Sequence, residues 1–161
     1  MARIALNGLG RIGKLVLRDL VDSGIAGEIV LLNDPAGDAE QHALLMEFDS
    51  VHGRWTTPVA QAEGGNALVL NGRTIRLTHE KTIEALPLAA LGVDLVIDCT
   101  GVFKTAAKVA PYYAAGVAKV VVSAPVKDRD GKTLLPKGRK ITLKALEAIP
   151  FSLWSELALV D

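Results

Sequence analysis

Cysteine is almost missing from this chain: Cys99 is the only one in 161 residues. A lone cysteine excludes an internal disulfide framework and a cysteine-rich zinc site, and it fits a reducing compartment. Aromatic residues are scarce as well, at 4%, which leaves no interleaved stacking surface for single-stranded nucleic acid. Neither sign of charge is in excess. Eighteen basic residues balance eighteen acidic ones, so there is no global field to attract nucleic acid or an anionic membrane surface. No apolar run reaches the length of a membrane span, and glycines break the N-terminal stretch before it could form a signal-peptide core. Repeats and low-complexity tracts are absent too. The expectation is a cytoplasmic globular protein with no nucleic-acid partner, no membrane partner and no metal site, half hydrophobic by composition and large enough to bury a core.

What is present is alternation. Arg3 to Asn7 reads as a short buried strand. Ile12 to Val21 reads as a helix, with Leu15, Val16, Leu20 and Val21 apolar around Lys14, Arg18 and Asp22, which are expected to be exposed. Gly24 and Gly27 end that helix, and Glu28 to Asn33 is a second strand, apolar enough to be covered on both faces. A helix follows from Asp38 to Phe48 with Asp38 as N-cap. The middle then changes character: Thr56 to Ala60, Ala67 to Leu70 and Thr74 to Thr78 are short β-prone pieces, and Asn71-Gly72 is a two-residue hairpin turn. A helix over Ile83 to Leu91, a strand over Asp94 to Cys99, a helix over Ala106 to Ala115 and a strand over Lys119 to Ser123 resume the alternation. The fold class is α/β: a doubly wound parallel sheet of at least four strands, with a small antiparallel insertion. Trp55 and Trp154 read as packing residues.

The first strand runs into "NGLGRIG", Asn7 to Gly13, with glycines spaced G-x-G-x-x-G. In a strand–turn–helix context Gly8 permits the tight turn, Gly10 lets a pyrophosphate approach, and Gly13 allows the helix to pack closely on the strand. Amides at the helix start then face the anion. Asp34 follows at the end of the second strand, about twenty residues past the last glycine, where an acid accepts hydrogen bonds from the adenosine ribose. A carboxylate there repels the extra phosphate of NADP, so the expected cofactor is NAD.

Five segments taken together, "NGLGRIG" (7–13), "LNDP" (32–35), "FDSVHGRW" (48–55), "CTGVFKT" (99–105) and "VVSAP" (121–125), make the chain resemble the phosphorylating glyceraldehyde-3-phosphate dehydrogenase family over about its first 125 residues. The resemblance implies a Rossmann-type domain. It implies that Asn7, Gly8, Gly10, Arg11, Ile12 and Gly13 lie at the pyrophosphate, and that Asn33 and Asp34 hold the adenosine end. Thr100, Gly101, Phe103, Ser123 and Ala124 border the nicotinamide half. Where the family often has an Arg near the adenine, this chain reads "THEKT" at 78–82, leaving Glu80 and Lys81 only backbone contacts to offer.

The family's Ser-Cys-Thr-Thr-Asn segment does not occur in these 161 residues, and the catalytic domain is expected to be absent. Cys99 is expected to be a packed, inert thiol, and His42, His52 and His79 face no nucleophile, so no catalytic residue is assigned. The expected organisation is a dinucleotide-binding domain over 1–125 and a divergent tail over 126–161, which forms a basic linker and then a short packed helix after Pro150. Three readings stay open: the cofactor domain of a family dehydrogenase that is not catalytic by itself, a stand-alone NAD-binding or sensing module, and a non-enzymatic interaction subunit. The partners envisaged beyond NAD are a family dehydrogenase subunit or further copies of the chain.

Overall fold

A computed structural model describes residues 2–123, together with the backbone of two short paired strands, Val126–Lys127 and Thr133–Leu135. Ala124 and the expected tail helix lie outside the described residues. In chain order the elements are β1 (Ile4–Asn7), α1 (Arg11–Asp22), β2 (Ile29–Asn33), α2 (Ala39–Glu47), β3 (Phe48–Asp49), β4 (Gly53–Arg54), β5 (Val59–Gln61), β6 (Ala67–Leu70), β7 (Arg73–Thr78), β8 (Leu95–Asp98), α3 (Ala106–Ala114) and β9 (Lys119–Val122).

Seven strands form one sheet in the order β5-β6-β7-β2-β1-β8-β9. The run from β7 to β9 is parallel, and β5 and β6 extend it as an antiparallel hairpin. Asn71, at φ 49, and Gly72, at φ 76, make the β6–β7 turn in the left-handed region that a two-residue hairpin requires. The doubly wound sheet with its antiparallel insertion is therefore the architecture read from the sequence.

Strand side chains alternate between faces. Leu6, Leu32 and Ile97 are in register on one face and pack with Leu17, Ala43, Met46 and Trp55 beneath α1 and α2. Ala5, Leu31 and Val96 share the other face, where Tyr112 of α3, Ile83 and Leu88 close a second core. Gly24, at φ 81, stops α1 by donating to the Val21 carbonyl. Asp38 caps α2 in a reciprocal box with Gln41.

Two expectations fail here. The helix over Ile83 to Leu91 is only a 3-10 turn, Ile83–Ala85, because Pro87 holds Leu86 extended at ψ 134. Lys14 and Arg18, expected in solvent, are each only 7% exposed, because α1 presents them to α2. Among the described residues no helix is long and apolar enough to cross a membrane.

Candidate functional site

Gly8 leaves β1 at φ +95 and donates its N–H to the Asn33 carbonyl at 2.7 Å. A Cβ there would stand 2.6 Å from the Thr100 nitrogen, so the ends of β1 and β8 approach too closely for any side chain. At Gly13 a Cβ would lie 1.8 Å from the Gly8 carbonyl oxygen, which means that the first turn of α1 rests directly on the glycine turn. Gly10 differs: nothing lies within 4 Å of a Cβ built on it. It precedes α1 with no side-chain cap, and the first-turn amides of a helix have no intrahelical acceptor. An uncapped helix start beside an open glycine is an anion seat.

Asp34 follows β2 on the other side of the turn. One of its carboxylate oxygens accepts from the Leu9 amide at 2.6 Å and the other from the Ala36 amide at 2.9 Å. The side chain is thus fixed at the mouth of the turn, half-buried, by two backbone donors.

Below the strand ends lies a row of polar side chains. Thr78, Asn33, Asn7 and Asp98 occupy paired positions on β7, β2, β1 and β8. Asn33 bonds the Glu80 backbone at both ends of its amide, accepting at 2.8 Å and donating at 3.0 Å, and it also donates to Asn7 Oδ1 at 2.8 Å. Asn7 Nδ2 donates to the Tyr112 hydroxyl at 2.6 Å, and that hydroxyl donates to Asp98 Oδ2 at 2.7 Å. Asp98 Oδ1 accepts from both the amide and the hydroxyl of Thr100, at 2.9 and 2.7 Å. Burial, and then the Asp98 carboxylate, push the Tyr112 hydroxyl well above its ordinary pKa, which keeps it protonated as a donor. The chain of bonds ties the loops after β7, β2, β1 and β8 to one another.

Above this row a cavity of about 210 Å³ opens at the carboxyl ends of the strands, lined by Asn7, Gly8, Gly10, Asp34, Pro35, Glu80, Lys81, Thr82, Cys99, Thr100, Val102 and Phe103. In an open α/β sheet ligands collect at this edge. The residues singled out from the sequence divide among different places. Asn7, Gly8, Gly10, Asp34, Thr100 and Phe103 meet at the cavity, with Gly101 adjoining at φ +68. The Asn7 and Asn33 side chains are absorbed by the buried row. The Arg11 side chain leaves the cavity and pairs with Asp49 at 3.1 Å, while Ile12 is half-buried in the first turn of α1. Ser123 sits at the end of β9, its amide on the Asp98 carbonyl at 2.8 Å. Cys99, half-buried, both lines the cavity and packs against the core below α1 and α2. Asp98 and Tyr112 were missed by the sequence reading, although three apolar strands each ending in a polar residue, "IALN", "IVLLN" and "LVID", carry the signal.

The sequence pattern of the glyceraldehyde 3-phosphate dehydrogenase NAD binding domain matches residues 2–106. The chain belongs to that family. Glyceraldehyde-3-phosphate dehydrogenase 3 of Nostoc sp. is 43% identical over 126 residues, covering 78% of this chain and 36% of the relative. Glyceraldehyde-3-phosphate dehydrogenase 1 of Kluyveromyces lactis is 43% identical over 127 residues, 79% of this chain and 38% of the relative. The enzyme of Zymomonas mobilis is 40% identical over 136 residues, 83% and 39% of the two chains. The chain spans little more than a third of the length of these curated relatives, and the matched third is the NAD-binding domain, with NAD as its cofactor. The open Gly10, the uncapped start of α1 and the strand-end cavity fit that cofactor.

Proposed function

We propose that the chain holds NAD across the ends of β1, β2 and β8 as the cofactor domain of a glyceraldehyde-3-phosphate dehydrogenase-like oxidoreductase, and that it is not catalytic as this chain alone. The observation that carries the reading is the cavity that joins the open Gly10 turn to Asp34 and Thr100. Backbone amides of Gly10, Arg11 and Ile12 take the pyrophosphate, with Gly8 and Gly13 shaping the turn. Asp34 accepts from the adenosine ribose, and Asn33 and Asn7 hold Asp34 and Gly8 in place from below. Thr100, Gly101, Phe103, Ser123 and Ala124 border the nicotinamide half. The domain is 1–125, with a separate segment from 126. The setting is cytoplasmic, with no nucleic-acid or membrane partner, and protein partners are a family dehydrogenase subunit or further copies of the chain; the lone cysteine and balanced charge support this.

Calorimetry tests the role of Asp34. NAD binds more tightly than NADP, because the carboxylate accepts ribose hydroxyls and repels a 2′-phosphate, and Asp34→Ala narrows the difference. Equal affinity for the two in the unaltered chain would remove Asp34 from this role.

A further inference from the structure

A second cavity, a groove of about 400 Å³, lies between α1 and the α2–β3 segment and shares no lining residue with the strand-end cavity. Lys14 and Arg18, four residues apart on α1, line it, with Arg11 beside them. Arg18 donates from Nε to the Met46 carbonyl at 2.7 Å and lies over the Trp55 ring, 5.8 Å from its centroid. Its Nη2 is buried and has no acceptor among the described residues. Lys14 donates to the Leu9 carbonyl. No carboxylate stands within ion-pair distance of either cation among the described residues.

The acid of the groove is already committed. Asp49 accepts from the His52 and Val51 amides, at 2.8 and 2.9 Å, and from Arg11. These donors hold its carboxyl well below the usual range. Asp34 lies outside the groove and makes no ion pair with Lys14, whose charge its negative field offsets only in part. A guanidinium does not shed its proton, and a buried cation without a counter-charge is costly. Arg11 and Asp49 cancel each other, which leaves Lys14 and Arg18 to give the groove a net positive charge beside the apolar Leu15, Leu45 and Phe48.

We propose that this groove binds a small organic phosphate monoester, its dianionic group on Lys14 and Arg18 and its organic part against Leu45 and Phe48. A phosphate monoester carries about two negative charges near neutral pH and can engage both cations at once. A guanidinium nitrogen without an acceptor suits a phosphate oxygen. The inference stands apart from the dinucleotide reading, because it uses none of the residues that line the strand-end cavity.

Titrating the full chain with inorganic phosphate and with phenyl phosphate tests it. Both are expected to bind saturably at one site, phenyl phosphate more tightly, and neither is displaced by NAD. Arg18→Gln weakens both by tenfold or more. Because Arg18 also packs on Trp55, Leu45→Glu provides a second variant: Leu45 is 56% exposed, so the fold tolerates the change, and the new carboxylate competes for the cations. It too lowers affinity at least tenfold. Failure of both ligands to saturate, displacement by NAD, or unchanged affinity in Leu45→Glu overturns the proposal. Equal affinity for the two ligands overturns its organic part.

Discussion

Replacing Tyr112 by Phe removes one oxygen and separates two buried side chains. Asn7 Nδ2 loses its acceptor and Asp98 Oδ2 loses its donor, in a place where Asp98 and Tyr112 have no exposure at all. Leaving buried polar groups unpaired costs about 1–3 kcal/mol each, so Tyr112→Phe lowers the melting temperature, and a denaturant midpoint checks it. The glycines give a paired expectation. Gly13→Ala drives a methyl group onto the Gly8 carbonyl and destabilises the domain, whereas Gly10→Ala points into open space and keeps the unfolding midpoint while weakening NAD binding. Equal effects on stability would show that Gly10 is a packing residue. The G-x-G-x-x-G spacing made the packing demands at Gly8 and Gly13 legible from sequence, because each of these two glycines answers a local backbone demand. Lys14 and Arg18 were not legible. Their burial depends on α2 lying across α1, and periodicity within α1 alone assigns long cations to water.

Among elements, α2 was readable to within a residue at each end, since Asp38 and Gln41 announce its start through their own hydrogen bonds. The 3-10 turn at Ile83 was misread because apolar spacing suggested a helix that Pro87 forbids. Helix α2 also carries a group that responds to mild acid. His42 is 4% exposed and donates from Nε2 to the Ala36 carbonyl at 2.9 Å, while its Nδ1 is buried without a partner. Burial first, and then the charge of Lys14, lower its pKa from 6.5. The unfolded chain therefore takes up the proton first as pH falls, and stability is full above the unfolded value and declines below it. Urea midpoints measured at about pH 7.5 and 5.5 should show this loss, and His42→Gln should reduce it. A variant with the same pH dependence would put the cause elsewhere.

At the scale of the molecule, the parallel order follows from alternating strands and helices, and the family match, over residues 2–106, covers it from β1 through β8. Chemistry scales differently. The only cysteine in the sequence directly follows β8, packed against the core beside the strand-end cavity. The purified chain given glyceraldehyde 3-phosphate, phosphate and NAD is expected to produce no NADH. Turnover that survives purification and disappears in Cys99→Ser would reverse this.

The polar row sets an order of assembly. Asn33 and Asn7 are 26 positions apart and can meet early, but Asp98 is 91 residues beyond Asn7, and Tyr112 must wait for α3 to dock. Contacts so distant in sequence form late, because closing the loop has an entropic cost before the contact returns anything. Until residue 112 has been synthesised, Asn7 lacks its hydroxyl acceptor. The strand-end cavity is then among the last parts of the domain to mature, and a cofactor arriving earlier meets only a half-built floor.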